Sequence, residues 1–178
     1  YLNGRHGFNV VTRTTNLKAL NLSCMSNGWH NGSDKGNGIT IQGDSRGVDI
    51  SNASCYYSVK RGVSITDAEH IQGASININE CSQDGLWIEG VDSSTFTALH
   101  IDDIGQTTDA TYFAIRVKSG TADSRGVVIV GVECHALRTN KMKQALYEDG
   151  ASRCVYSDIS SVGQTADQAF RLDGDKTN

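Results

Sequence analysis

The chain has 178 residues, a formal net charge of -4 and a sequence pI near 5.7, enough for one domain with a sizeable core and the wrong charge for nucleic acid or an anionic membrane as main partner, since both reward a basic surface. No apolar run approaches the roughly 18 residues needed to span a bilayer, and residues 1–9 carry no signal-peptide pattern. With 19 Gly, no Pro and five Cys that form no CxxC pair, composition points to short strands joined by turns and to buried thiols, not a disulfide framework or a zinc site.

In chain order, a small residue followed by apolar, outward and apolar positions recurs along the whole sequence. Its copies are Gly7-Phe8-Asn9-Val10, Gly38-Ile39-Thr40-Ile41, Gly62-Val63-Ser64-Ile65, Gly85-Leu86-Trp87-Ile88, Ala114-Ile115-Arg116-Val117, the imperfect Ala145-Leu146-Tyr147-Glu148, and Ala169-Phe170-Arg171-Leu172. Successive starts lie between 23 and 31 residues apart, the period of a solenoid. Behind most starts a second alternating strand is expected, at Leu20-Asn21-Leu22, Val48-Asp49-Ile50, Ile76-Asn77-Ile78, Leu99-His100-Ile101 and Val127-Val128-Ile129. Asp44-Ser45-Arg46-Gly47-Val48 echoes Asp123-Ser124-Arg125-Gly126-Val127, each followed by a cysteine seven positions on, Cys55 and Cys134.

Each turn can bury its inward Ile, Leu and Val only against the turns above and below, so strands stack parallel about 4.8 Å apart. Little in the sequence speaks for the antiparallel connections of a β-sandwich or the four-stranded units of a propeller, and the intervals an α/β fold would fill with helices contain runs such as Gly43 to Gly47 and Asp92 to Thr97 that read as turns. The expected fold is all-β, a right-handed parallel β-helix of about six to seven turns forming one domain over 1–178. Because the chain opens on Tyr1 and its repeats show no cap, it reads as a piece of a longer protein.

The segments Asn37-Gly38-Ile39-Thr40-Ile41-Gln42-Gly43, Asp84-Gly85-Leu86-Trp87-Ile88-Glu89-Gly90 and Val48-Asp49-Ile50-Ser51-Asn52 resemble the pectate-lyase-like β-helix superfamily, especially phage tailspike and appendage depolymerases. That resemblance implies a homotrimer acting on a bacterial surface polysaccharide (capsule, lipopolysaccharide or wall teichoic acid), placed on a virion tail or otherwise extracellular. It is one of repeat style, shared by lyases, hydrolases, epimerases and inert shafts.

If the apolar positions point inward, an outer stripe follows. It reads Asn9 and Val11, Thr40 and Gln42, Ser64 and Thr66, Trp87 and Glu89, Arg116 and Lys118, Tyr147 and Asp149, Arg171 and Asp173. Trp87 and Tyr147 suit sugar rings, while Arg116 and Lys118 suit carboxylate or phosphate groups, with Gln42 and Arg171 extending the substrate-binding row. The segments 25–37, 105–113 and 137–144 precede motif starts and either wall this surface or are solvated loops; the first contains Trp29, His30 and Asp34.

Glycoside hydrolysis needs one carboxylic acid and a second carboxylate. Glu89 and Asp149 occupy equivalent outward positions two turns apart, roughly 9.6 Å between backbones, near the upper range for inverting hydrolysis. Lys118 between them favours the ionised form of a neighbouring carboxylate, so one must escape it to serve as acid; a surface ladder of ion pairs is the alternative. Ala114-Ile115-Arg116-Val117-Lys118 resembles the Arg-Ile-Lys strand of polygalacturonase-type hydrolases and Gln83-Asp84-Gly85 their Asn-Thr-Asp-Gly segment, which implies a catalytic Asp84 with Arg116 and Lys118 on substrate. Those enzymes also carry an Asp-Asp pair and a Gly-His-Gly at the starts of turns, whereas here Asp102-Asp103 follows the second strand and reads as a turn, and there is no Gly-His-Gly.

A lyase or epimerase would use Lys118, Arg116 and Tyr147 as base and cationic clamp, and a non-catalytic glycan-binding adhesin or shaft would use the stripe alone. His6, His30, His70, His100 and His135 are scattered in sequence, and none is assigned to a metal; no cofactor is expected. Glu148 falls at an inward position, so either it is buried or its turn slips register by one residue, the latter being expected.

Overall fold

The computed structural model describes residues 6–25, 36–105, 111–136, 142–165 and 169–173, and no helix occurs among them. The first strands are β1 (Phe8–Val10), β2 (Lys18–Leu20), β3 (Ser23–Met25), β4 (Ile39–Arg46), β5 (Asp49–Tyr56), β6 (Val63–Glu69) and β7 (Gln72–Asn79). They are followed by β8 (Leu86–Asp92), β9 (Thr95–Asp102), β10 (Phe113–Lys118), β11 (Val128–His135), β12 (Gln144–Asp149), β13 (Val155–Val162) and β14 (Phe170–Asp173).

The strands form two sheets, ordered β1-β4-β6-β8-β10-β12-β14 and β13-β11-β9-β7-β5-β2, with β3 also pairing β5. Every strand pairing among the described residues is parallel. The chain is therefore a parallel β-solenoid in which each turn adds one rung to each sheet, about five full turns in all. The short strands β1 to β3 and β14 form partial turns at the ends, which is how seven motif starts fit that number.

In the first sheet Phe8, Ile39, Val63, Leu86, Ile115, Leu146 and Phe170 stack as one column, and Val10, Ile41, Ile65, Ile88, Val117, Glu148 and Leu172 as the next inward one. From Ile39 to Leu146 the first of these columns is buried. The small residue at each start is a packing requirement. A Cβ at Gly62 would lie 2.1 Å from Ile78 Cγ2, and one at Gly85 2.7 Å from the Ala114 carbonyl oxygen. The later turns admit Ala114 and Ala145, both fully buried.

The second sheet departs from simple alternation. Asn52, Ser75, Ala98, Gly131 and Asp158 form a mid-strand column with φ between 52° and 68°, the left-handed region that Gly, Asn and Asp tolerate best. Each such residue bends its strand and shifts the inward parity, so β5 buries Ile50, then Ala53 and Cys55. Val48-Asp49-Ile50 and Val127-Val128-Ile129 thus belong to the region before the bend, whereas Ile76-Asn77-Ile78 and Leu99-His100-Ile101 follow it. Leu20, expected inward, pairs with Ser51 and is exposed, while Ala19 is the buried residue of that strand.

Cys24 stacks on Cys55, and Cys55, Ile78, Ile101 and Cys134 share one inward column. Four thiols are buried and free, and Cys154 is half-buried. Glu148 corrects the expected slip: it pairs in register with Val117 and Leu172 and is 7% exposed. Glu148 and Tyr156 face each other in the interior, and burial first, then this carboxyl group, pushes the Tyr156 hydroxyl well above its usual pKa.

Candidate functional site

Register on the first sheet places Asn9, Thr40, Ser64, Trp87, Arg116, Tyr147 and Arg171 in one outward column and Gln42, Thr66, Glu89, Lys118, Asp149 and Asp173 in the next. Sequence spacing alone gives the same two columns. A third, which it did not reveal, runs beside them: Asn37, Arg61, Asp84, Phe113 and Gln144, each just before a start, linked by backbone hydrogen bonds or register from one turn to the next. Its side chains fold over the stripe. Asn37 Nδ2 donates to Thr40 Oγ1 at 3.1 Å, Arg61 lies 3.7 Å over the Trp87 ring, and Phe113 stacks on Tyr147 with centroids 4.7 Å apart.

Trp87 is consequently only 7% exposed. Arg61 covers it from the wall, the Arg116 guanidinium lies 4.9 Å from its centroid and Lys118 Nζ 5.2 Å. Arg116 also lies 5.2 Å from Phe113 and 5.3 Å from Tyr147, and Arg171 lies 5.4 Å from Tyr147. Cations and rings alternate along the axis, an arrangement in which each cation meets a ring quadrupole. Tyr147 and Arg116 are half-buried, and Arg171 is open to solvent while paired to Asp173 at 2.7 Å.

The three candidate catalytic carboxylates have different surroundings. Glu89 accepts from Trp87 Nε1 at 3.1 Å and from Lys118 Nζ at 2.9 Å. Asp149 sits one rung beyond Lys118, whose ammonium is on Glu89. Asp84 is 2% exposed and accepts the Phe113 backbone N–H at 2.8 Å. Burial raises its carboxyl above the usual range although Phe113 and the Arg61 guanidinium, 3.9 Å away, act the other way. Burial likewise lowers the Arg61 pKa against the pull of Asp84 and Glu89. The Nε–H groups of Arg61 and Arg116 are buried without a hydrogen-bond partner.

Gln42 is exposed two rungs before Glu89, at the far end of the second column. Of the three segments proposed as walls, 26–35, 106–110 and 137–141 lie outside the described residues, and Trp29, His30 and Asp34 fall among these. Asp102 is corrected from a turn residue to the last residue of β9, its side chain beside His100 and His135, while Asp103 does turn, with φ 45°.

Protein-family models, curated proteins and solved structures yield no significant match to this chain. What the structure supports is the coarser statement, an all-parallel β-solenoid.

Proposed function

We propose that the chain binds an anionic bacterial surface polysaccharide along the outer face of its first sheet. The observation that carries this reading is the in-register column Trp87, Arg116, Tyr147, Arg171 beside Glu89, Lys118, Asp149. Rings and guanidinium groups repeat at the strand spacing along the axis, a surface suited to a polymer of acidic sugars or phosphodiesters more than to one metabolite. Trp87 lies beneath the surface, so contact with the polymer falls to the half-buried Tyr147 and Arg116 and to exposed Arg171.

A second reading, depolymerisation, is favoured by the order Glu89, Lys118, Asp149. Glu89, paired with Lys118 at 2.9 Å, takes the part of the base that activates water, and Asp149, one rung beyond Lys118, that of the acid facing the leaving oxygen. Asp84, which the polygalacturonase likeness would make catalytic, instead holds the Phe113 amide and the Arg61 guanidinium. On either reading the chain belongs to a tailspike-like or adhesin-like homotrimer on a virion tail or another extracellular surface, as the repeat style implies.

Titration calorimetry against capsule, lipopolysaccharide and teichoic acid tests the proposal, with reducing-end and unsaturated-uronate assays on the same mixtures. Binding that weakens with salt and is lost in Tyr147→Ala/Arg171→Ala is expected. No affinity for any anionic polymer, or affinity untouched by that double substitution, overturns it. Reducing ends that disappear in Glu89→Gln add hydrolysis to binding.

A further inference from the structure

The outer face of the second sheet carries a cluster that plays no part in polymer binding. On β9 and β11, His100 pairs in register with Glu133 and Asp102 with His135. Two positions along each strand and one rung between strands make these four side chains the corners of a small rectangle. His100 Nε2 lies 2.7 Å from Asp102 Oδ2, and His135 Nδ1 lies 2.9 Å from Asp102 Oδ1. The other ring nitrogen of His100, Nδ1, faces Glu133 Oε2 at 3.4 Å. The neighbouring rungs break the pattern, with Asn77 and Asn79 on β7 and Ser160 and Val162 on β13.

We propose that His100 Nε2, His135 Nδ1 and an Asp102 carboxylate oxygen form a binding site for a first-row divalent transition ion such as Zn2+. Two imidazoles with one carboxylate select such an ion over Mg2+ or Ca2+, which take oxygen ligands. One ligand atom from each residue lies within 4.8 Å of the others. Tetrahedral Zn2+ with bonds of about 2.0–2.2 Å brings its ligands to roughly 3.3 Å of one another. The two contacts to Asp102 open slightly and the His–His edge closes, which side-chain rotation achieves without moving the strands.

Glu133 supplies what a ligating histidine needs on its far side. Its carboxylate lies 3.4 Å from His100 Nδ1, placed to accept that N–H when an ion takes the place of the proton that Nε2 shares with Asp102. Side-chain exposures of 41% for His100, 32% for His135 and 21% for Asp102 leave the ion open to solvent. A fourth position therefore faces water, as in zinc sites with three protein ligands. His100 and Glu133 also line a groove of about 390 Å³ with Asp158 and Ser160, space in which an oxygen donor of a bound molecule can reach that position.

Titration calorimetry of the whole chain with ZnCl2 tests the site, alongside the visible spectrum of the Co2+-loaded protein. One ion per chain is expected, with d–d bands of nitrogen and oxygen ligation and no thiolate charge-transfer band. Binding is lost in His100→Ala and His135→Ala and weakened about 10–100-fold in Glu133→Gln. These side chains are outside the core, so circular dichroism of each variant keeps the parallel-sheet signal. Absence of stoichiometric binding overturns the proposal. So does binding unchanged in both histidine variants, or a thiolate band, which places the ion at the cysteines.

Discussion

The two outer faces of this solenoid share strand spacing and register, yet one is closed by its neighbours and the other lies open. On the first sheet the wall column of Asn37, Arg61, Asp84 and Phe113 folds over the outward residues, so that even Trp87 is 7% exposed. On the second sheet no such wall among the described residues covers His100 and Glu133, whose side chains are 41% and 66% exposed. Register places residues in columns, but the flanking turn decides whether a column becomes part of the structure or remains available to a ligand. The same residue type thus carries a different stability cost on each face.

The sharpest way to break that contrast is Trp87→Ala. Removing a buried indole and the support for Arg61 and Arg116 is expected to cost about 3–5 kcal/mol, close to the value for a core aromatic. His135→Ala on the open face is expected to cost under about 1 kcal/mol, as for a surface residue. Urea unfolding of both variants measures the difference, and equal costs would show that the wall column contributes no burial energy. Trp87→Phe keeps a ring beneath the guanidinium groups but loses the Nε1–H bond to Glu89, at about 1 kcal/mol.

Asp84 is the next lever, because it joins the wall to the sheet. Asp84→Ala strands the Phe113 N–H and leaves the Arg61 guanidinium without its nearby carboxylate, an expected loss of about 2–4 kcal/mol. Asp84→Asn keeps an oxygen for the amide and should cost about half as much. The pH dependence separates the roles. Burial raises the Asp84 carboxyl in the folded chain, so the folded state holds this proton more readily than the unfolded one. Its contribution to stability is therefore largest below the ordinary carboxylate range and falls as pH rises through the raised folded value. Wild type should gain stability over Asp84→Asn as pH is lowered through that window. A flat difference would mean that burial does not dominate at Asp84.

The first face was legible in the sequence because its strands begin immediately after a small residue and alternate without interruption, so Trp87, Arg116 and Tyr147 fall into line by counting. The echo of Asp44–Val48 in 123–127 was equally informative: Arg46 and Arg125 occupy one corner column, through Glu69 and Asp92. The wall column was hidden because Asn37, Arg61, Asp84, Phe113 and Gln144 share no chemistry, only a position. The histidine cluster was hidden by the left-handed residues Ala98 and Gly131. They shift parity midway along β9 and β11, so aligning Leu99-His100-Ile101 with Val127-Val128-Ile129 puts His135 in the wrong place. Aligning on the cysteine column instead, Ile101 with Cys134, brings Asp102 against His135.

The corner between the two faces offers the smallest and most specific test. Arg125 Nε and one terminal nitrogen both donate to Asp92 Oδ2, at 3.1 and 2.9 Å, in a groove of about 550 Å³ also lined by Asp44, Asp67, Glu69 and Asp123. Hydrogen bonding from Arg125 holds the Asp92 carboxyl below its usual range. The stabilisation it reports is present above the ordinary carboxylate pKa and is lost as pH falls through the lowered folded value, opposite in sign to Asp84. Because the pair is exposed, salt screens it and the gain in folding free energy is slight. Arg125→Ala should therefore raise the Asp92 carboxyl pKa in an NMR titration while barely moving the unfolding midpoint. An unmoved titration would mean that the Ser93 hydroxyl and His70, not Arg125, hold this carboxyl down.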